Sequence, residues 1–204
     1  MILNKLRYIL RFFSNYRNVI LYAIYYEILY SIKYLEFGSH LIINKSNKNA
    51  TDSIPSTYYF VKKITDFINE NNIKSVADLG CGLGRITNFL DDNTNAKISG
   101  YEINKNIYTR SLRNKNVGVN LYNKNILDIN FIKNNIQCYI MVDPFVNKKD
   151  TINLQKKIIS SFLKKKNKHF FITINIKNKL INKKFIRIKF IKTGGEGLIG
   201  FFSI

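Results

Sequence analysis

The chain has 204 residues, of which 46% are apolar and 23% are charged, a balance that is typical of a globular protein and excludes an intrinsically disordered one. Its formal net charge is +20, and residues 111–204 carry +15 of it. This charge has two explanations, an acidic partner or an A/T-rich coding sequence, because Lys, Asn and Ile together make up 87 residues. Two cysteines and two histidines exclude a disulfide framework and a Cys/His zinc site. We therefore predict no metal site and expect a reducing, cytoplasmic setting.

The first unit along the chain is an aromatic and basic segment, residues 1–37, for which we predict helices. Its longest uncharged run, Asn18–Tyr26, is far shorter than the roughly 20 residues that span a bilayer. Two interpretations remain open: a helix that makes peripheral contact with a membrane surface, or helices that pack on the rest of the protein. Residues 38–57 are polar and rich in turn-forming residues, which predicts a linker or a loop on the substrate side. The third unit, residues 58–204, is the predicted main domain.

Helical and strand patterns alternate through the rest of the chain. The predicted helices are Thr57–Asn71, Gly84–Asp91, Asn106–Arg113 and Thr151–Lys165. The predicted strands are Ser75–Leu79, Lys97–Tyr101, Gly118–Asn123, Cys138–Val142, His169–Ile176, Phe185–Lys192 and Leu198–Ile204. Strands that alternate with helices predict an α/β fold with a doubly wound, mostly parallel sheet, here of seven strands. A short Gly-rich turn joins the last two strands, so we expect a C-terminal antiparallel hairpin.

The turn after the first predicted strand carries the strongest functional signal. The strand ends in Asp78-Leu79 and continues into Gly80-Cys81-Gly82-Leu83-Gly84. Such a turn lies at the carboxyl edge of an open α/β sheet, where ligands bind, and glycines let a ligand approach the backbone. Twenty residues after Gly82, the next strand is followed by Glu102, an acid placed to accept two hydrogen bonds from a ribose diol. The alternative is a structural βαβ unit in which the acid is unrelated to the glycines.

Over about residues 53–204 the sequence resembles the class I S-adenosylmethionine-dependent methyltransferases, whose first motif has the form of Asp78–Gly84. The resemblance implies S-adenosylmethionine as the cofactor. Asp78 and the glycine-loop backbone would hold its methionine end, Glu102 its ribose, and Ile103 would line the adenine pocket. The segment Lys124–Asp128 resembles another motif of the family, with Asn125 where an Asp is more usual. The cofactor-binding residues implied in this part of the chain are Asp78, Gly80, Cys81, Gly82, Gly84, Glu102, Ile103, Asn125, Ile126 and Asp143.

After the fourth strand, Asp143-Pro144-Phe145 resembles the Asn/Asp-Pro-Pro-Tyr/Phe motif of enzymes that methylate nitrogen, but it is one Pro shorter. Methyl transfer is a displacement that depends on the alignment of the nucleophile and the methyl group more than on acid–base work. The resemblance implies that Asp143 is the catalytic residue and that Pro144 and Phe145 complete the site, with Phe145 as a platform for the acceptor. An amine nitrogen is favoured over an oxygen acceptor.

The segment Pro55–Tyr59 resembles a motif that precedes the first strand in a subset of the family, which includes protein-lysine methyltransferases. The resemblance implies that Thr57 and Tyr58 cover the cofactor carboxylate. The alternative is a helix N-cap at Thr57 followed by a core aromatic residue.

These observations predict a methyltransferase that uses S-adenosylmethionine, with a protein lysine side chain as the first candidate acceptor. RNA is the second candidate because of the basic C-terminal half, and a small metabolite or a glycan precursor is the third. The alternative from another class is a non-catalytic protein that binds S-adenosylmethionine.

Overall fold

A computed structural model describes residues 9–10, 12–34, 55–165, 167–176, 186–195 and 197–204. Most of the predicted linker, residues 38–54, therefore lies outside the described residues, as does part of the predicted turn between the last two strands. The boundaries proposed for the three units stay predictions.

Helices and strands alternate as the sequence predicts. The helices are α1 (Ile20–Tyr34), α2 (Tyr58–Glu70), α3 (Arg85–Asn93), α4 (Lys105–Asn114) and α5 (Lys148–Phe162), and Ile126–Asp128 form a 3-10 turn. The strands are β1 (Ser75–Leu79), β2 (Lys97–Glu102), β3 (Asn120–Asn123), β4 (Cys138–Val142), β5 (Phe170–Ile174), β6 (Ile186–Gly194) and β7 (Gly197–Ser203). The predictions for β1 and β4 are confirmed residue for residue.

The strands form one sheet of seven in the order β3-β2-β1-β4-β5-β7-β6. Neighbours from β3 to β5 are parallel, whereas β7 runs antiparallel to both β5 and β6. The mostly parallel sheet with a C-terminal antiparallel hairpin is thus confirmed. Parallel pairing places the carboxyl ends of β1, β2 and β4 at the same edge of the sheet, because Leu79 is in register with Tyr101 on one side and Met141 on the other. We call it the carboxyl edge.

Apolar side chains cover both faces of the sheet, which is why its central strands read as continuous apolar runs. On one face, Val76 and Ile140 belong to a core cluster with residues of α1, α2 and α3. On the other face, Ala77 and Met141 belong to a second cluster with residues of α5, among them Ile158. Helices therefore pack on both faces, and the doubly wound architecture is confirmed.

The structure departs from several predicted boundaries: β3 begins at Asn120 and β5 spans Phe170–Ile174. Local capping accounts for the start of α5. The prediction of a helix over Thr151–Lys165 is wrong at both ends, because α5 spans Lys148–Phe162. The helix starts early because the side-chain oxygen of Asn147 accepts a hydrogen bond from the backbone N–H of Lys149 at 2.9 Å. The sequence did not predict the 3-10 turn. One of its backbone N–H groups, that of Leu127, is capped in the same way, because it donates to Oδ1 of Asn125.

Helix α1 packs on α2 through an aromatic interface. The rings of Tyr34 and Tyr58 are stacked with centroids 6.0 Å apart, and Tyr30 meets Phe89 of α3 edge to face at 4.7 Å. Such pairs contribute about 0.5–1.5 kcal/mol each beyond the burial of their area. The N-terminal segment thus completes the core on this face of the sheet.

A buried ion pair joins α1 to the start of α3. Glu27, the one acid of α1, accepts a hydrogen bond from Nη1 of Arg85 at 2.8 Å through Oε1. Its other oxygen, Oε2, accepts from the backbone N–H of Tyr58 at 2.9 Å and so caps the start of α2. Arg85 also donates to the carbonyl of Ser56 at 3.0 Å, and its guanidinium lies 4.2 Å from the ring centroid of Tyr58. Both charges are therefore compensated inside the protein.

We predict that Glu27→Ala lowers the free energy of unfolding by about 3–5 kcal/mol, because it leaves the Arg85 charge buried without its carboxylate. The double variant Glu27→Leu/Arg85→Met is expected to recover most of this loss, because both charges are then replaced by apolar groups. Urea denaturation measures the difference. Glu70→Ala, which removes an exposed acid from α2, is the control. If Glu27→Ala and Glu70→Ala lower the free energy of unfolding equally, the prediction is contradicted.

Candidate active site

Asp78, near the end of β1, is a buried carboxylate at the carboxyl edge. Its side chain is only 2% exposed, and Oδ1 has no hydrogen-bond partner among the described residues. Burial, reinforced by the negative charge of Glu102, raises the pKa of Asp78 to about 7. A buried acid without a compensating cation is costly to the fold, which is a common property of ligand-binding sites.

The glycine loop turns the chain sharply after β1. The N–H groups of Gly80 and Cys81 both donate to the carbonyl of Tyr101, at 2.9 and 3.0 Å, which fixes the loop to the end of β2. Gly80 has φ +96°, a left-handed conformation that side chains rarely adopt, and a Cβ atom there would lie 3.3 Å from Cβ of Pro144. The loop thus passes directly beside the segment that follows β4.

Glu102 closes the loop from the end of β2. Its Oε2 accepts a hydrogen bond from the N–H of Gly82 at 3.1 Å, and its Oε1 accepts from the N–H of Asn104 at 2.7 Å. Burial raises the pKa of Glu102, and these backbone donors oppose that shift. A carboxylate has about four lone-pair positions, so each oxygen retains capacity for a ligand hydroxyl. The predicted pairing of the loop with an acid twenty residues later is therefore present as a direct hydrogen bond.

The predicted cofactor-binding residues that follow β2 and β3 occupy different environments. Ile103 is exposed beside Glu102, whereas Ile126 is buried in the core cluster that includes α5. Asn125 is half-buried, with its side-chain oxygen engaged by the N–H of Leu127 at 3.0 Å. Sequence reasoning missed Asn123, which donates from Nδ2 to the carbonyls of Glu102 and Ile103 at 2.8 and 3.1 Å. It fixes the backbone at the end of β2.

The segment Asp143-Pro144-Phe145 follows β4 at the same edge. Asp143 is exposed and has φ +34°, an uncommon conformation for a residue other than glycine. Pro144 is buried beside Gly80, and Phe145 is half-buried against the core cluster that includes α5. The predicted catalytic segment and the glycine loop are thus neighbours in space, although they are far apart in the sequence.

Thr57 and Tyr58, at the start of α2, are engaged by the N-terminal segment. The hydroxyl of Thr57 donates to the phenol oxygen of Tyr16 at 2.7 Å and makes no capping bond to α2. Glu27 supplies that cap instead. Tyr58 is 1% exposed and belongs to the core, as the alternative interpretation of the sequence expected.

Solved structures provide the comparison for this arrangement, since no family model and no curated protein matches the chain by sequence. An RNA methyltransferase from Salinibacter ruber in complex with S-adenosyl-L-homocysteine superposes with a TM-score of 0.58 at 12% identity, over 74% of this chain and 94% of that one. The chain has the class I methyltransferase fold. The N-methyltransferase NodS from Bradyrhizobium japonicum WM9, in complex with S-adenosyl-L-homocysteine, superposes with a TM-score of 0.55 at 7% identity, over 72% of this chain and 86% of that one. Magnesium protoporphyrin IX methyltransferase from Synechocystis PCC 6803, with bound SAM, superposes with a TM-score of 0.54 at 11% identity, over 71% of this chain and 77% of that one.

The carboxyl edge of this methyltransferase fold suits a cofactor with a cationic end and a ribose. The unpartnered Oδ1 of Asp78 is an acceptor for an ammonium group, and the oxygens of Glu102 are acceptors for hydroxyl groups. Because Gly80 has no side chain, Pro144 can approach the loop backbone closely. Among the described residues there is no group of three or more His, Cys, Asp or Glu side chains that could hold a metal ion.

The N-terminal segment also borders this edge, which sequence reasoning missed. The backbone N–H of Asn18 donates to the carbonyl of Thr193 at 2.9 Å, and the Thr193 hydroxyl donates to the carbonyl of Asn15 at 2.6 Å. These bonds attach the segment to the hairpin between β6 and β7, and Tyr16 attaches it to Thr57. No local pattern in the sequence indicates contacts between residues that are 178 positions apart.

We predict that the contribution of Asp78 to stability falls as the pH rises from about 4 to about 7, because folded Asp78 retains a proton that the unfolded chain has released. Asp78→Asn is expected to remove this part of the pH dependence and to raise the free energy of unfolding at pH 8 by about 1–3 kcal/mol. Urea denaturation across this pH range measures both effects. Glu70→Gln, an exposed acid, is the control, and an unchanged pH profile in Asp78→Asn would contradict the prediction.

Proposed function

We propose that the protein is a methyltransferase that uses S-adenosylmethionine and that its acceptor is an amine nitrogen, with a protein lysine side chain as the first candidate. The observation that carries this proposal is the arrangement at the carboxyl edge. Two buried acids, Asp78 and Glu102, flank the glycine loop, and the exposed acid Asp143 directly precedes Pro144, which lies against Gly80.

The proposal assigns the two buried acids to cofactor binding. Asp78 would accept from the ammonium group of the methionine end, which supplies the positive charge that its buried carboxylate lacks. Glu102 would accept from the ribose hydroxyls while its bond to the N–H of Gly82 keeps the loop closed. The bound cofactor supplies an activated methyl group on a sulfonium centre.

Asp143 is the residue that we assign to the acceptor. Its carboxylate is exposed, so an incoming substrate can reach it, and the buried Pro144 keeps it beside the glycine loop. A hydrogen bond from an acceptor N–H to this carboxylate would hold the nitrogen lone pair in one orientation, which is the main requirement of a displacement reaction. The half-buried ring of Phe145 would offer an apolar surface to the carbon chain of the acceptor.

RNA is the second candidate acceptor, and a specific surface favours it. Helix α5 and the turn that follows it expose a row of lysines: Lys148, Lys149, Lys156, Lys157 and Lys164. Such a row can neutralise phosphates, and binding through it would weaken steeply as the salt concentration rises. Affinity for RNA that is insensitive to salt would argue against this candidate.

We predict that Glu102→Ala weakens binding of S-adenosylmethionine by roughly 1–3 kcal/mol, which is about 5- to 150-fold in the dissociation constant, because charge-assisted hydrogen bonds to the ribose are lost. Titration calorimetry with S-adenosylmethionine and S-adenosylhomocysteine measures the effect, and Glu70→Ala is the control. If the folded wild type binds neither compound, the proposed function is wrong; an unchanged dissociation constant in Glu102→Ala removes only the ribose assignment.

We predict that Asp143→Ala lowers methyl transfer by about tenfold or more and changes the affinity for S-adenosylhomocysteine by less than about twofold, because Asp143 acts on the acceptor. Transfer of labelled methyl groups to protein and RNA fractions measures the first quantity, and calorimetry measures the second. Asp92→Ala removes an exposed acid at the opposite edge of the sheet and is the matched control. Equal transfer by Asp143→Ala and the wild type would exclude the assigned role.

A further inference from the structure

Helix α1 exposes a continuous row of large apolar side chains, which we call the apolar stripe. Its members are Leu21, Tyr22, Tyr25, Ile28, Leu29 and Ile32, with exposed fractions between 41% and 79%. Leu21, Tyr25, Ile28 and Ile32 follow one another at helical spacings of three or four residues, so they lie along one side of the helix. Single exposed apolar residues are ordinary on protein surfaces, but a contiguous row of this length marks an interaction site.

The opposite side of α1 is committed to the protein. Ala23, Glu27 and Ser31 are its buried residues, and they repeat every four positions. Glu27 is bound to Arg85 and to the N–H of Tyr58, which fixes the rotation of the helix about its axis. The apolar stripe therefore cannot turn inward while this ion pair is intact, and it remains directed away from the sheet.

The charges around the apolar stripe favour an anionic partner. Residues 1–37 contain five cations and two acids, Glu27 and Glu36, and the carboxylate of Glu27 is buried. Two exposed cations lie near the ends of α1: Arg17 shortly before its start and Lys33 in its last turn. The apolar stripe itself includes two tyrosines, whose amphipathic rings suit the boundary between lipid and water.

We propose that the apolar stripe binds the surface of a lipid bilayer that contains anionic lipids, with α1 lying in the plane of the interface. No helix in the described part of the chain is both long enough and apolar enough to cross a bilayer. A surface helix with cations near its ends and a broad exposed apolar side binds at the headgroup level, through apolar burial and attraction to anionic lipids. Nearer the N-terminus, Leu10 and Phe13 are also exposed.

Docking through this stripe would bring the face of the protein that carries α1 to the membrane. The segment that precedes α1 contacts the hairpin at Thr193, and α1 itself contacts Arg85 directly after the glycine loop. The helix that binds lipid is thus part of the same packed unit as the candidate active site. Binding to lipid needs no methyl transfer, so this proposal can fail or succeed independently of the proposed function.

The first experiment is co-sedimentation of the full chain with vesicles of about three parts phosphatidylcholine to one part phosphatidylglycerol. We expect the wild type to bind these vesicles and Tyr25→Ser/Ile28→Ser/Ile32→Ser to bind at least about tenfold more weakly, because these side chains are exposed and their loss affects burial in lipid rather than folding. The matched control is Val117→Ser/Ile132→Ser/Leu163→Ser, which removes three exposed apolar side chains elsewhere and should bind as the wild type does. Equal binding by both triple variants would overturn the proposal.

The second experiment uses the absence of tryptophan from the sequence. A single tryptophan introduced as Tyr25→Trp should shift its emission to shorter wavelength when vesicles are added, since the indole enters the headgroup region. The control Tyr122→Trp, an exposed position on β3, should show no shift. If the protein binds anionic vesicles but the emission of the tryptophan at position 25 does not shift, the attraction comes from lysines elsewhere on the protein. This result would overturn the proposal. Sedimentation of the lipid-free wild type as a dimer, converted to monomer by the first triple variant, would also overturn it and would assign the apolar stripe to a second copy of the chain.

Discussion

The buried ion pair between Glu27 and Arg85 connects parts of the chain that are 58 residues apart. Removal of two charges from water is costly, and the cost is offset only when every polar atom finds a partner. Here the carboxylate also caps α2 through the N–H of Tyr58, and the guanidinium also donates to Ser56 and lies over an aromatic ring. The N-terminal segment, the start of α2 and the helix after the glycine loop therefore depend on one another.

The same arrangement explains why the neighbouring acids at the carboxyl edge remain electrostatically unbalanced. Arg85 follows the glycine loop directly, but its guanidinium donates to Glu27 and Ser56. Asp78 and Glu102 instead repel each other as two buried acids, and burial together with this repulsion raises the pKa of Asp78. The fold thus carries an energetic cost that a cationic ligand would relieve, a common property of ligand-binding sites.

The sequence predicts what local chemistry determines. The limits of β1 and β4 follow from short apolar runs, and the pairing of the glycine loop with Glu102 follows from their positions at the ends of adjacent strands. Partners that are distant in sequence could not be predicted. Thr57 has the residue type and position of an N-cap, yet its hydroxyl bonds to Tyr16, and the cap comes from Glu27 on another helix. In the sequence, Glu27 appears only as an interruption of an apolar run.

The N-terminal segment shows why composition alone left two interpretations open. A helix with apolar residues on all sides is buried in a protein core or in contact with lipid, and periodicity cannot separate these cases. In α1 the tyrosines divide between the two sides: Tyr30 and Tyr34 contact Phe89, whereas Tyr22 and Tyr25 are exposed. Deletion of the segment would uncover the core and remove the outer surface together. Only substitutions confined to the outer side can therefore separate the role of α1 in folding from its proposed role at a membrane.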